Sequence, residues 1–258
     1  MVAQVHRRGI GGWRRVPHMD AATYADHLRR DGFALADAAE GHLETQVPGC
    51  PDWDVAELVW HTGEVHHFWQ EVANRGLQDP REAAEARRPP PEELLEWFRQ
   101  GVERLAETLQ YADASRAVWT WAPQKDVAFI QRRMAQETAV HRWDAQRAAG
   151  DPQPIDADLA VDGVDEFLDL FLPAESASQR DDVPPVHLHS TDAPGEWVAT
   201  ISGGELRVER EHLKGAVAVR APASDLLLLL WRRIDPANVE VLGDEQVLER
   251  LLERADLS

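Results

Sequence analysis

The chain has 258 residues, 43% of them hydrophobic, and a formal net charge of −19. That composition fits one large folded domain or two modest ones and excludes an intrinsically disordered chain, while so acidic a surface repels phosphate backbones and anionic lipid and argues against nucleic-acid and membrane partners. Cys50 is the single cysteine, so no intramolecular disulfide can form, which suits a reducing cytoplasm.

Residues 1–18 carry Arg7, Arg8, Arg14 and Arg15 among glycines and lack the apolar stretch of a signal peptide. They are expected to be a mobile extension, with Met19 opening the fold. Four long helical patterns follow. The first runs over about 21–40. A loop at 47–51 precedes the second, which Asp52 or Asp54 can cap and which continues to about Arg75. The third starts near Pro91, with Glu92 and Glu93 in its first turn, and ends near Tyr111. The fourth begins after Pro123 and runs to about Ala149, where Gly150 and Pro152 stop it. A shorter helix covers 157–172.

The pattern then changes. A polar stretch at 175–185 containing Pro184 and Pro185 is expected to be a linker. Short segments with alternating or β-branched character follow at 186–189, 197–201, 205–209 and 216–219, and Gly203-Gly204 marks a hairpin turn. A very apolar helix at 224–233, a strand near 239–242 and a final helix complete the chain. Its apolar block, Leu226 to Trp231, is far shorter than the roughly 20 residues a spanning helix needs. The expected fold class is therefore α + α/β: a helical bundle over 19–174 and a small α/β domain over 186–258.

Two helices carry polar residues where apolar ones belong. The stripe of the second is Leu58, His61, Val65, Phe68 and Val72, one face by its alternating steps of three and four. His67 lies on a polar face and His66 between the two. The stripe of the fourth is Ile130, Met134, Glu137, His141, Ala145 and Ala148. A buried carboxylate is costly to ionise without a positive partner. Glu137 and His141, four apart, point to one spot. A divalent cation held by both, and by His61 from a neighbouring helix, would resolve that cost. Two histidines and a glutamate with an open position form the ligand set of a catalytic zinc. The plainer alternatives stay open: a histidine satisfied in the core, and Glu137 paired with Arg132 or Arg133.

The segment from Val47 to His61 (VPGCPDWDVAELVWH) and the segment from Arg133 to Asp144 (RMAQETAVHRWD) resemble the second- and fourth-helix motifs of the mycothiol-dependent maleylpyruvate isomerase-like proteins of actinobacteria. The block from Ala223 to Arg233 (ASDLLLLLWRR) resembles their C-terminal domain. The resemblance implies a DinB-like four-helix bundle followed by a small sterol-carrier-like α/β domain. It implies zinc on His61, Glu137 and His141, and mycothiol as the thiol cofactor. It also implies an arginine facing the metal cleft, which Arg233 matches best and which would orient a substrate carboxylate; the alternative for Arg232 and Arg233 is charge compensation at a helix C-terminus.

The activity so implied is cis–trans isomerisation or thiol transfer on a small electrophilic substrate, in a monomer or homodimer. A metal-dependent hydrolase and a non-catalytic metal- or ligand-binding protein are the rivals. Asp144, one turn beyond His141, can accept an imidazole N–H or pair with Arg142 or Arg147. Nothing marks Cys50 as a nucleophile. Trp53, Trp60, Trp69, Trp119, Trp121 and Trp143 are expected in the core or the cleft wall. His187 and His189 alternate on a strand; a second metal pair is one reading, two side chains merely sharing a face the other.

Overall fold

The computed structural model describes residues 19–172 and 182–255. The expectations for 1–18 and for most of the linker fall outside the described residues.

The N-terminal part is helical. Helix α1 (Ala21–Ala39) starts where the Asp20 carboxylate accepts the Thr23 N–H at 2.8 Å. Helix α2 (Val55–Arg75) is capped by Asp54 on the Glu57 N–H, also at 2.8 Å, and stopped by left-handed Gly76. Helix α3 (Leu94–Tyr111) begins three residues after the expected start, because Pro91–Glu93 form a separate 3₁₀ turn. Helix α4 (Val127–Ala149) starts at an Asp126 cap and ends at left-handed Gly150. It is the most enclosed of these helices, packed on α1 along its length and touched by α2, α3 and α5 (Ala157–Leu170). The hydroxyl of Tyr24 on α1 donates to Asp162 of α5 at 3.1 Å, and Arg132 of α4 donates to the same oxygen at 3.0 Å.

The C-terminal part is a five-stranded sheet in the order β3-β2-β1-β4-β5. Its strands are β1 (Val183–Ser190), β2 (Glu196–Ser202), β3 (Glu205–Glu209), β4 (Val217–Ala221) and β5 (Glu240–Gly243). The central β1–β4 pair is parallel and the others are antiparallel. Gly203 and Gly204, at φ 59° and 83°, make the two-residue turn between β2 and β3 that the sequence pattern predicts.

Pro184 and Pro185, expected in the linker, lie in β1. The register shifts between Val183 and Val186, which is where a strand can tolerate residues without a ladder N–H. Val186, Leu188, Trp197 and Ala199 face the core shared with α5, α6 (Ala223–Leu230) and α7 (Glu245–Glu253). The Trp197 indole donates to Asp165 of α5 at 2.7 Å. Helix α6 stops three residues earlier than expected: Trp231 closes it, and Arg232 turns into the left-handed region at φ 55°.

Candidate metal centre

His61 of α2 and Glu137 and His141 of α4 meet at the rim of the bundle. Each offers one ligand atom, and the three atoms lie within 4.8 Å of one another. Glu137 Oε1 is 3.1 Å from His141 Nε2 and 3.7 Å from His61 Nε2. The imidazole rings of His61 and His141 meet edge to face, 5.6 Å apart. His141 is buried, whereas the His61 side chain is 35% exposed, so the cluster opens towards solvent on the α2 side.

The electrostatics of this group follow from its neighbours. Burial alone would raise the Glu137 carboxyl, but His141 and Arg133 outweigh it and hold that carboxyl well below the usual range. Burial likewise opposes a charged imidazole, yet Glu137 and Asp144 outweigh it and push His141 up to about 9. Asp144 Oδ2 sits 3.2 Å from His141 Nδ1, the arrangement that puts the ring proton on Nδ1. Nε2 then faces Glu137 Oε1, two electron-rich atoms at 3.1 Å, and something positive must lie between them: a proton or a metal ion. Two imidazole nitrogens and a carboxylate oxygen fit a divalent ion such as zinc.

The alternative partners divide cleanly. Arg133, not Arg132, pairs with Glu137: its NH2 donates to Oε2 at 2.7 Å, while its NH1 pairs with Glu166 of α5. The guanidinium also lies over the rings of Phe171 and Trp231. Arg133 therefore compensates Glu137 from behind and leaves Oε1 turned to the histidines. His66 is enclosed, with Nε2 2.8 Å from the Thr138 hydroxyl, and burial pushes it down to about 3, so it stays neutral. His67 meets the Ala84 carbonyl at 3.1 Å, away from this group.

Arg233 reaches the site from the other domain. Its Nε donates to both oxygens of Asp144 at 2.8 and 3.1 Å, and its NH1 to the Trp231 carbonyl at 3.0 Å. Its NH2 faces Cys50 Sγ at 3.6 Å. Asp144 thus joins His141 to Arg233; Arg142 pairs instead with Asp31 and Arg147 with the Arg233 carbonyl. Arg232 turns away and donates to the Leu252 and Ala255 carbonyls.

The 47–51 loop is pinned by backbone bonds between Val47 and Trp53 and by the Gln46 amide on the Pro51 and Trp53 carbonyls. It lays Gly49 against the Asp144–Arg233 pair, where a Cβ would come within 2.8 Å of Arg233 Cδ. It also sets Trp53 against His61, with ring centroids 4.6 Å apart. Burial raises the Cys50 thiol pKa, so it favours the protonated form. Of the other tryptophans, Trp69 and Trp119 stack together, Trp60 stacks on Trp97, Trp143 lies under Arg147, and Trp121 is the exposed one. His187 and His189 are on the sheet domain, outside this cluster.

A helical bundle with this cluster at its rim, followed by a small mixed-sheet domain whose arginine reaches back to it, defines a class of two-domain proteins with a DinB-like N-terminal half. Residues 21–146 match the mycothiol maleylpyruvate isomerase N-terminal domain, and residues 158–250 match the MDMPI C-terminal domain. The chain belongs to the mycothiol maleylpyruvate isomerase-like family. No curated protein is significantly similar to it. Among solved structures, a double mutant of the sec-alkyl sulfatase PisA1 is similar over 65% of this chain and 29% of its own, at 14% identity and a TM-score of 0.32. A likeness that slight carries no argument.

Proposed function

We propose that this protein is a metal-dependent, thiol-using enzyme, a cis–trans isomerase or thiol transferase for a small electrophilic substrate, with zinc on His61, Glu137 and His141 and mycothiol as its thiol. The observation that carries the reading is the convergence of those three side chains at a rim open on the His61 side. A divalent ion bound there would stabilise a thiolate at neutral pH, the nucleophile that both reactions require.

The chain's own residues do the rest. Asp144 holds His141 so that Nε2 points into the cluster. Arg133 holds Glu137 Oε2, which fixes Oε1 towards the histidines. Trp53 packs against His61, with ring centroids 4.6 Å apart, and braces that side chain. Arg233, held at Nε by Asp144 and at NH1 by the Trp231 carbonyl, would offer its NH2, which faces only the Cys50 sulfur, to a substrate carboxylate. No helix among the described residues is long and apolar enough to cross a membrane, and the lone cysteine suits the reducing cytoplasm in which we place the enzyme.

Cobalt substitution tests the reading. Adding mycothiol should bring in thiolate-to-cobalt charge-transfer absorption near the ultraviolet, at lower concentration than cysteine does. His141→Ala should abolish the band. A cobalt-loaded protein whose spectrum ignores every thiol would overturn the thiol mechanism and bring the hydrolase forward.

A further inference from the structure

The open face of the sheet carries a second cluster. His187 and His189 alternate on β1 and project away from the helices. Glu196 of β2 is the direct cross-strand partner of His189, so it stands on the same face. Beyond β3 the chain straddles the sheet. Arg210 turns to the helix side, pairs with Asp165 and lies over the Trp197 ring at 5.3 Å. Two residues later His212 comes down on the opposite face. Its Nδ1 is 3.0 Å from Glu196 Oε1, and His189 Nδ1 is 2.6 Å from the same oxygen. The three imidazole centroids are 5.2, 6.0 and 6.4 Å apart, each ring steeply inclined to the others.

Two hydrogen bonds to Glu196 would account for His189 and His212. They do not account for His187. It is 6% exposed, and its Nε2 is buried with no hydrogen-bond partner. An orphaned imidazole nitrogen in a closed position is costly unless it has a ligand to meet. The four residues each offer one donor atom, and those atoms all lie within 4.8 Å of one another.

We propose that His187, His189, Glu196 and His212 form a second divalent-cation site, separate from the bundle cluster, that takes a borderline transition ion of the zinc class. Three imidazoles and one carboxylate favour zinc, nickel or copper(II) over calcium or magnesium, which prefer all-oxygen shells. Four protein ligands close the coordination sphere, where the bundle cluster supplies three. The site therefore holds rather than reacts. It ties the chain after β3 to β1 and β2, beside an open cleft of about 510 Å³ lined by Ser190, Ala193, Arg210 and Glu211 as well as by ligands.

The experiment is equilibrium dialysis of zinc alone against chelator-stripped, full-length protein. Wild type should take up two ions. His61→Ala/His141→Ala should keep one, His189→Ala/His212→Ala should keep one, and the fourfold variant none. His189 and His212 are chosen because they are far more exposed than His187, so their loss spares the core. In the His61→Ala/His141→Ala background, zinc should also shield His212 from diethyl pyrocarbonate, read by mass spectrometry. Wild type that saturates at one ion, lost in His61→Ala/His141→Ala and kept in His189→Ala/His212→Ala, would overturn the proposal. So would a His61→Ala/His141→Ala protein that melts cooperatively yet binds no zinc, or His212 modification that zinc leaves unchanged. Failure of the bundle reading looks different: wild type would again take up one ion, but that ion would be kept in His61→Ala/His141→Ala and lost in His189→Ala/His212→Ala.

Discussion

Helices α4 and α6 are both enclosed, one in each domain, and they meet the cost of enclosure in opposite ways. Helix α6 buries Leu226 to Leu230 in a row, with nothing polar to satisfy along that run. Each such side chain contributes about 1.5–3 kcal/mol by leaving water. Helix α4 buries Arg133, Gln136, Thr138, His141, Arg142 and Asp144. Each of these has at least one partner from its own or another element: Glu166 for Arg133, the Leu159 carbonyl and Asp162 for Gln136, the Met134 carbonyl for Thr138, Arg233 for Asp144. A buried polar lattice adds little net stability, but it fixes side chains to a single geometry. The α6 row fills the core of the sheet domain, and the α4 lattice holds Glu137 and His141 in one geometry.

The contrast can be broken by experiment, and the largest effect should come from His141→Ala. It removes one of three ligands, so the bundle cluster should lose its ion, read by metal analysis in the His189→Ala/His212→Ala background. Full retention there would mean that α4 aims nothing. Leu227→Ala should cost about 2–5 kcal/mol of unfolding free energy in urea denaturation, in proportion to the cavity left, with the zinc affinity of the folded protein unchanged.

Asp144→Asn should do the reverse. It keeps the shape but weakens the hold on His141 Nδ1, lowering zinc affinity in the bundle by about 10–100-fold in a competitive chelator titration. Wild-type affinity in the Asp144→Asn variant would show that Asp144 serves Arg233 alone. The smallest shift belongs to Thr138→Val, which leaves the enclosed His66 Nε2 without its hydroxyl. That should cost about 1–3 kcal/mol in thermal or urea melts, with metal content intact.

The helices were legible because their information is local. Asp20, Asp54 and Asp126 each cap a helix through their own carboxylate, and Gly76 and Gly150 end α2 and α4 in the left-handed region. Glu137 and His141 stood out because a polar pair on an apolar stripe breaks its own pattern. The end of α6 was hidden because a non-glycine residue, Arg232, takes a conformation its side chain disfavours, by about 1–2 kcal/mol, and no propensity signals that. The place of Arg233 depends on a loop 183 residues away, where Gly49 leaves room for the guanidinium. The sheet cluster was half visible. His187 and His189 share a face by strand alternation, but Glu196 joins them through register and His212 through a chain reversal, and both are tertiary facts.

The buried carboxylate of Asp144 touches His141 of the bundle and an arginine of the sheet domain at once. Its two partners therefore share one reservoir of interaction, and the exchange between them is reciprocal. Whatever factor the docked Arg233 lends to the affinity of the proposed ion, that ion would return to the docking of the two halves. An isolated bundle would then hold its ion less tightly than the whole chain does, and chelation would loosen the interface without touching it.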